Sequence, residues 1–459
     1  MKTKAELIVV PLPGTGHLVP TLELARALSL RDDRIRLTIL LMDDSPISPT
    51  KPSPPPLPPT DRIRLVQLPS LPRKSISQVL EAQPILSRVS LLVDHYKPII
   101  RDTVTRLASS TRIDGFVFDV FTTNVLDVAE ELGVPSYMYF TGGVAMLGLM
   151  LHLPDLDARV ETESERVDSD EFTIPSFLNS VPLCAFPSFM FDRKDEEYNL
   201  FVHFSRNMTK VKGFLVNSFR ELEPYAVDSI EKSRDRFPIM YLVGAMISES
   251  KNCDGSHFYP IMEFLNKQPP KSVIFLCFGS LGSLDPPQVT EMARGLEKSG
   301  HRFLWSLRGV ADLEEGFEER TAGRGLIVRG WTPQVKVLEH EAIGCFVSHC
   351  GWNSTLESVR SGVPLLTWPL YAEQKLNAFE LVREIGVAIE VRGWEKREGE
   401  VTCAEEVERG VRSVMDEGHV AVKVRERVGE MREASRNAVE VGGSSYVSMG
   451  HFIEDLMSL

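Results

Sequence analysis

The sequence lacks the features that define several large classes of protein. Its longest apolar run, Val144–Leu151, is far shorter than the ~18 residues that span a bilayer. Acidic residues exceed basic ones by 64 to 51, and a formal charge of −13 gives no general attraction to nucleic acid or anionic lipid. No GK[ST] phosphate loop and no GxSxG elbow is present, which excludes a Walker-type nucleotide site and counts against an α/β-hydrolase.

Cysteine is also sparse, and the six residues are scattered without a CxxC pair. In a chain of this length they suit reduced thiols in a reducing compartment. Met1–Pro13 starts with lysines, but Pro11 and Pro13 interrupt its apolar run, so we interpret it as a first strand rather than a signal peptide. We therefore expect a cytoplasmic protein.

What the sequence does contain is a regular alternation of short apolar runs and amphipathic segments. Its 459 residues, of which 43% are hydrophobic, allow two or three domains. The first series of strands is predicted at Ala5–Leu12, Ile35–Met42, Ile113–Phe118, Ser136–Phe140, Gly213–Asn217 and Ile239–Val243, with helices at Leu18–Leu30 and Phe121–Leu132. Nearly all-apolar strands separated by helices predict a parallel sheet that is covered on both faces.

The pattern then restarts. A second series of strands is predicted at Ser272–Phe278, Arg302–Leu307, Gly325–Val328, Gly344–Ser348 and Val363–Thr367, with helices at Pro286–Ser299, Asn353–Ser361 and Glu373–Ile385. The segment Ala404–Leu459 is predicted to be helical with a break at Gly442–Gly443. The fold class is therefore α/β, with domains at 1–244 and 245–441 and a final helix within 442–459.

Three polar or proline-rich stretches are predicted to be mobile loops: Ser45–Thr60, Asp155–Glu171 and Arg308–Arg324. The second contains two DxD patterns, Asp155–Asp157 and Asp168–Asp170. DxD is typical of metal-dependent sugar transferases, but a solvated acidic loop explains these residues more simply.

His17 lies in the first turn from strand to helix, within Pro13-Gly14-Thr15-Gly16-His17-Leu18-Val19-Pro20. This is where α/β folds build their sites. The positive end of the helix favours a neutral, basic imidazole. A helix-start histidine without a chemical role is an equal alternative. The turn itself resembles a GxGxxG dinucleotide fingerprint only weakly, because Val19 replaces the third glycine.

Asp119 follows another predicted strand at the same edge of the sheet. If the two strands are neighbours, its carboxylate can fix the tautomer of His17 and stabilise the imidazolium. The alternative is a helix N-cap.

Two further strand-to-helix turns suit an anion. Phe278–Ser283 is rich in small residues, and Val347–Thr355 adds side chains that can donate hydrogen bonds to phosphate. Each is also compatible with an ordinary turn, but together they suggest a diphosphate. His349 and Cys350 have no companion ligand at metal-binding spacing, and we predict no metal site.

The block from Trp331 to Gln374, WTPQVKVLEHEAIGCFVSHCGWNSTLESVRSGVPLLTWPLYAEQ, closely resembles the signature of plant family-1 UDP-sugar glycosyltransferases. The resemblance extends to the PxxGHxxP turn at 13–20, to Asp119 and to LVNSFRELEP at 215–224. It is strongest to the branch that acts on flavonoids, other phenolics and triterpenoids. One departure is Ala245, where the family has proline after YLVG.

The resemblance implies the GT-B fold, in which two Rossmann-like domains face each other and the C-terminal helix returns to the first. It implies an inverting, metal-independent hexosyltransferase that takes a sugar from a UDP-sugar, with His17 as general base and Asp119 as its partner. The implied UDP-binding residues are Ser280, Trp331, Thr332, Gln334, His349, Asn353, Ser354 and Glu357. The implied sugar-binding residues are Thr141, Trp352, Glu373 and Gln374.

Gln374 is the version of the signature that favours glucose, so we expect UDP-glucose as the donor substrate and no bound cofactor. Because this preference rests on one residue, xylose, galactose and glucuronate stay open as alternative donor sugars. The acceptor is expected to be a small lipophilic plant metabolite, and the enzyme a monomer. Candidate acceptor-binding residues are Phe121, Met146, Phe186, Phe189 and Phe201, although for each of them the sequence favours a place in the core over one in a pocket. Two alternatives remain, a non-catalytic UDP-sugar-binding protein of the same fold and an NAD-linked oxidoreductase.

Overall fold

The computed structural model describes residues 4–43, 61–162, 171–248, 258–309, 312–397 and 399–458. Its strands are β1 Ala5–Val10, β2 Ile35–Leu41, β3 Ile63–Gln67, β4 Gly115–Asp119, β5 Ser136–Phe140, β6 Glu171–Phe172, β7 Val181–Pro182, β8 Gly213–Val216, β9 Ile239–Leu242, β10 Val273–Cys277, β11 Arg302–Ser306, β12 Gly325–Val328, β13 Ile343–Ser348, β14 Leu365–Thr367 and β15 Ala388–Glu390.

The α-helices are α1 Thr15–Arg31, α2 Arg73–Glu81, α3 Ile85–Ala108, α4 Leu126–Glu131, α5 Val144–Thr162, α6 Glu196–Met208, α7 Pro224–Lys232, α8 Phe258–Asn266, α9 Pro286–Ser299, α10 Phe317–Arg320, α11 Gln334–Leu338, α12 Trp352–Ser361, α13 Gln374–Glu380, α14 Ala404–Met415, α15 His419–Val439 and α16 Ser444–Ser458. Short 3₁₀ turns lie at Val120–Val125, Leu183–Ala185 and Ser188–Phe191, and a π turn at Leu381–Ile385 follows α13.

Two parallel sheets organise the described chain. The first has the order β3-β2-β1-β4-β5-β8-β9, and the second β12-β11-β10-β13-β14-β15. In each, the order reverses once, between β1 and β4 and between β10 and β13. Ligands of open α/β sheets bind in the crevice beyond such a switch point. The expected α/β fold with two facing Rossmann-like sheets, GT-B, is confirmed. The domain limits 1–244 and 245–441 stay a proposal.

The last helix packs on the first sheet, as the resemblance implied. Its apolar face, which includes Phe452 and Leu456, joins the core that β1 and α1 build on one side of that sheet. Phe452 lies edge-on to Tyr137 and Tyr241, with ring centroids 5.0 and 5.5 Å away. Asp455 accepts hydrogen bonds from the Tyr137 hydroxyl at 2.9 Å and pairs with Lys212 at 2.7 Å. The helix α16 therefore completes the core on one side of the first sheet.

The predicted loop at 155–171 is partly wrong, because α5 continues to Thr162. Asp157 lies inside that helix, buried, and binds Arg193 at 2.5 Å, Arg206 at 2.9 Å and the Tyr198 hydroxyl at 2.8 Å. Its partners explain the burial, since a buried carboxylate needs paired charge and hydrogen bonds. Asp168 and Asp170 lie outside the described residues, as does the proline-rich stretch at 45–60.

Other boundaries also differ from expectation. The loop predicted at 308–324 contains the short helix α10, and residues 310–311 are outside the described ranges. The helix predicted over Phe121–Leu132 is a 3₁₀ turn followed by α4. Strand β3 was not predicted because it is a partly exposed edge strand without a continuous apolar run.

We predict that Phe452→Ala destabilises the protein by about 3–5 kcal/mol, because a fully buried ring between two tyrosines leaves a cavity. Chemical denaturation measures the loss. Val447→Ala on the exposed face of the same helix is the control and should change little. Equal effects of the two changes would show that α16 does not contribute its apolar face to the core.

Candidate functional site

One cleft of about 2340 Å³ opens between the carboxyl ends of the two sheets, and both halves of the chain line it. Of the predicted site residues, Asp119 alone is not part of the lining. The lining includes His17, Phe121, Thr141, Met146, Phe186, Phe189, Phe201, Ser280, Trp331, Thr332, Gln334, His349, Trp352, Asn353, Ser354, Glu357, Glu373 and Gln374. Residues far apart in the sequence are thus brought to one place.

His17 and Asp119 are in contact because β1 and β4 are neighbouring strands. The His17 Nδ1 lies 2.7 Å from Asp119 Oδ2. Asp119 is 3% exposed, whereas the His17 side chain is 26% exposed toward the cleft. A carboxylate only accepts hydrogen bonds, so Nδ1 carries the hydrogen and Nε2 of the neutral ring is left as the basic nitrogen.

Asp119 is also an N-cap, so its contact with His17 and its capping hydrogen bond occur together. Its Oδ1 accepts from the backbone N–H of Phe121 at 3.0 Å, at the start of the 3₁₀ turn. The Thr122 hydroxyl accepts from the Asp119 N–H at 2.9 Å and donates to the Val10 carbonyl at 2.8 Å. Oδ1 caps the turn and Oδ2 contacts His17 Nδ1, so the capping hydrogen bond fixes the carboxylate in the orientation that contacts His17.

The electrostatics of His17 correct the expectation drawn from the helix end. Burial lowers the pKa of His17, but the charge and the hydrogen bond of Asp119 outweigh it, and Glu373 adds to their effect. The net pKa of His17 is therefore raised, not lowered. A base with a raised pKa binds its proton more strongly, and the neutral form becomes available as pH rises through that pKa.

The two turns that the sequence predicts to bind an anion, Phe278–Ser283 and Val347–Thr355, follow β10 and β13. They therefore flank the switch point of the second sheet. Gly279, at φ 76°, allows His349 to approach so closely that a Cβ would lie 2.6 Å from its Nε2. Burial lowers the pKa of His349 to about 4, with Arg308 as a further cause. His349 is therefore neutral at pH 7, and its Nδ1 has no hydrogen-bond partner among the described residues.

Arg308 is a site residue that the sequence analysis missed. It follows β11 at the carboxyl edge of the second sheet and lines the cleft. Its guanidinium lies 5.3 Å from the centroid of the Trp331 ring and donates to the Ser280 carbonyl at 2.6 Å. Its position directly after a buried strand was the available signal, but the charged run that follows led us to predict a loop.

Beside Arg308 are the residues implied to hold uracil and ribose. Trp331 is 56% exposed, so one ring surface is free for stacking. The Gln334 amide donates to Glu357 Oε2 at 2.6 Å and to Ser354 Oγ at 2.8 Å. Burial raises the pKa of Glu357 to about 7, and the Gln334 hydrogen bond only partly opposes this.

At the sugar end, several side chains already have partners. Gln374 Oε1 accepts from the N–H groups of Leu370 at 2.9 Å and Tyr371 at 3.1 Å, which leaves its NH₂ to donate. The Trp352 indole N–H donates to the Asn217 carbonyl at 2.8 Å, and Asn353 Nδ2 donates to the Gly16 carbonyl at 2.7 Å. The indole N–H of Trp352 is therefore not available to a sugar, and its backbone N–H at the start of α12 would have to act instead.

The five candidate acceptor residues belong to both the core and the cleft. Phe121 lies edge-on to His17 with centroids 5.6 Å apart, and Phe189 and Phe201 are 5.5 Å apart. Met146, Phe186 and Phe201 are buried yet line the cleft. These five residues therefore make one part of the cleft apolar and mostly aromatic, and Phe121 brings this part into contact with the His17 ring.

The described residues contain no group of three His, Cys, Asp or Glu side chains that could hold a metal. In the same ranges, no helix combines the length and hydropathy of a membrane span.

Comparisons with known proteins agree with this geometry. Residues 189–419 match the family model described as "UDP-glucoronosyl and UDP-glucosyl transferase". The chain is 41% identical over full length to "UDP-glucose flavonoid 3-O-glucosyltransferase 6" of Fragaria ananassa, with 100% of both chains covered. It is 41% identical to "Flavonol 3-O-glucosyltransferase UGT71C4" of Arabidopsis thaliana, covering 99% of this chain and 98% of that protein.

Among solved structures, Medicago truncatula UGT71G1 in complex with UDP-glucose is 37% identical, with a TM-score of 0.87 and coverage of 99% of this chain and 98% of that one. The fold and cleft define a nucleotide-sugar-dependent transferase. The chain belongs to the UDP-glucuronosyl and UDP-glucosyl transferase family and is a UDP-glycosyltransferase of the plant type.

We predict that Asp119→Asn lowers the pKa of His17 below that of a free histidine, because burial remains while the carboxylate charge is lost. NMR titration of the His17 ring measures this. Asp33→Asn, which removes an exposed carboxylate from the same half of the chain, is the control and should leave the titration unchanged. A His17 pKa unaffected by Asp119→Asn would contradict the assigned pairing.

Proposed function

We propose that this enzyme transfers glucose from UDP-glucose, with inversion, to a hydroxyl of a flavonoid, another phenolic or a triterpenoid. The observation that carries the proposal is the His17–Asp119 pair, at 2.7 Å, in a cleft that is also lined by residues of the turns Phe278–Ser283 and Val347–Thr355. The named activities of the Fragaria and Arabidopsis relatives support a flavonoid acceptor and a glucose donor.

In this mechanism the acceptor hydroxyl oxygen attacks the anomeric carbon from the face opposite to UDP. His17 Nε2 takes the hydroxyl proton as the new C–O bond forms, and Asp119 stabilises the imidazolium. The anomeric C–O bond to phosphate breaks and its electron pair leaves with UDP. Inversion follows because bond formation and bond breaking occur on opposite faces.

The leaving diphosphate needs its charge to be met without an acid. Arg308 supplies a positive charge near Ser280, and the N-terminus of α12 presents unpaired backbone N–H groups. His349 is neutral, so we assign it a hydrogen-bond donor role rather than a cationic one. Preorganised donors of this kind are each worth about 3–4 kcal/mol in other enzymes.

The remaining donor contacts follow the same logic. Trp331 would stack on uracil and the backbone of Thr332 would bind its edge, while Gln334 and Glu357 would hold the ribose. Asn353 and Ser354 would join the diphosphate site. Thr141, Glu373 and the NH₂ of Gln374 would bind the glucose hydroxyls, with Thr141 Oγ1 already only 3.3 Å from His17 Nδ1.

The acceptor would lie on the aromatic wall formed by Phe121, Met146, Phe186, Phe189 and Phe201. Such a wall suits a flat polyphenol. A cytoplasmic location is supported by the free buried thiols of Cys277, Cys345 and Cys350. The monomeric state stays a prediction.

We predict that His17→Ala lowers turnover by roughly 10²- to 10⁴-fold, the usual contribution of a positioned base, while the Kd of UDP-glucose stays within about threefold. The assay uses UDP-glucose with a panel of flavonols, simple phenols and triterpenes, and product NMR locates the new bond. Asp119→Ala should cost less as the acceptor hydroxyl becomes more acidic. Unchanged turnover of His17→Ala, or no transfer to any acceptor by the native enzyme, would contradict the proposal.

We also predict that UDP-glucose binding weakens as pH falls below about 7, the pKa of Glu357. Ribose hydroxyls would donate to the ionised carboxyl, so binding requires a protonated Glu357 to release its proton. Calorimetry between pH 6 and 8 should show a fall that approaches tenfold per pH unit at the acidic end.

The matched variant Glu357→Gln cannot titrate, so its weaker affinity should be nearly independent of pH in this range. UDP-glucose is preferred to UDP in this experiment because its diphosphate has no terminal ionisation near pH 6. A pH dependence that survives in Glu357→Gln would assign the effect to another group.

A further inference from the structure

The segment 215–224, LVNSFRELEP, belongs to the sequence resemblance, but none of the donor, acceptor or base roles explains it. In the structure it lies where the two halves of the cleft meet. The Asn217 carbonyl accepts from the Trp352 indole N–H at 2.8 Å. The Asn217 side-chain oxygen accepts from the Met246 N–H at 2.7 Å, just after the first sheet ends. One asparagine therefore joins α12 of the second half to the chain that leaves the first.

Glu223 is the buried end of this segment. Its carboxyl is fully inaccessible, accepts from the Ala145 N–H at 2.8 Å and from the Ser218 hydroxyl, and is also bonded by the Val144 N–H. Burial raises the pKa of Glu223, but these three donors oppose the rise, so Glu223 is the hydrogen-bond acceptor in any pair that it forms. A Cβ at Gly143 would lie 2.9 Å from Glu223 Oε1 and 2.8 Å from the Trp352 ring, so the space between the halves is filled.

The partner of Glu223 comes from the other half. Glu380, the last residue of α13, is 1% exposed, and its carboxyl lies within hydrogen-bonding reach of the Glu223 carboxyl. The Tyr225 hydroxyl donates to Glu380 Oε1 at 2.7 Å. Burial and then the charge of Glu223 raise the pKa of Glu380 well above its ordinary value, and Glu384 adds to the effect.

Two buried carboxyls in contact cannot both be ionised at moderate cost, because like charges repel strongly in a poorly solvated site. One retained proton turns the repulsion into a hydrogen bond. Resting on the proposed function, we infer that Glu223 and Glu380 share one proton across the two halves of the cleft and act as positioning residues for sugar transfer.

The position of the pair gives it influence over the chemistry. The helix α13 begins at Gln374, which faces the donor end of the cleft, and ends at Glu380. The base His17 lies on the other half. The shared proton therefore sets the distance between the base His17 and the sugar donor, although neither carboxyl touches them. An error of about 1 Å in such a distance can cost 10²-fold in rate.

Two substitutions of Glu380 separate this role from simple packing. The amide of Glu380→Gln can still donate to Glu223 and accept from Tyr225, so kcat should stay within about threefold of the native value. Glu380→Leu has a similar size but removes the bond, and we expect a roughly 10- to 100-fold fall in kcat with an unchanged KM for UDP-glucose. Glu130→Gln, an exposed glutamate of α4, is the control for the loss of one carboxyl.

A pH profile gives a readout that packing alone would not move. The titratable groups that face the pair are Tyr225 and Glu384. In the native enzyme, loss of the shared proton at alkaline pH leaves two buried negative charges, so kcat should fall there. Glu380→Gln has no such proton and should keep its activity further into the alkaline range.

Tyr225→Phe provides a milder change that keeps the ring in place if Glu380→Leu fails to fold. It should give a smaller fall in kcat, with faster hydrogen exchange confined to 215–225 and 374–385. Equal kcat for Glu380→Leu and the native enzyme, or equal losses and identical pH profiles for Glu380→Gln and Glu380→Leu, would overturn the inference. Native turnover in the same assay tests the proposed function separately, and the hydrogen-exchange result stands without it.

Discussion

Each half of this enzyme contributes only part of the lining of the cleft, so the relative position of the halves is the constraint on which the rest depends. His17 and Asp119 lie at the carboxyl edge of the first sheet. The turns Phe278–Ser283 and Val347–Thr355 follow strands of the second sheet. Hydrogen bonds such as Trp352 to Asn217 and Asn353 to Gly16 join the halves close to the reacting groups. A small shift at this junction would separate His17 from the strand-to-helix turns of the second half while leaving both halves folded.

Burial of ionisable groups is the second theme, and its direction differs from site to site. Asp119 overcomes burial and raises the pKa of His17, whereas unopposed burial keeps His349 neutral. Glu357 and Glu380 are pushed toward their protonated forms for the same reason. A chain with a net charge of −13 offers a diphosphate no overall attraction, and the proposed site therefore relies on local donors, Arg308 and a helix end.

Structure is predictable from this sequence where the local pattern carries the tertiary information. Buried strands followed directly by polar turns predicted that His17 and Asp119 lie at one edge of the first sheet and His349 at the corresponding edge of the second, because parallel strands bring their carboxyl ends together. Structure is not predictable where a residue's environment comes from distant segments. Asp157 was assigned to a loop because its acidic neighbours hid the buried helix, and the partners that make burial tolerable, Arg193 and Arg206, lie far along the chain. Arg308 was missed in the same way.

By itself the sequence determined the alternation of strands and helices, the two-sheet α/β fold, the family and most of the polar groups discussed here that line the cleft. Only the tertiary structure decided how those groups are held. It gave each oxygen of Asp119 a separate partner, turned the indole N–H of Trp352 away from the cleft, and placed two buried carboxyls from opposite halves against each other. The physical reason is that hydrogen-bond partners and desolvation depend on neighbours in space, which spacing along the chain does not specify.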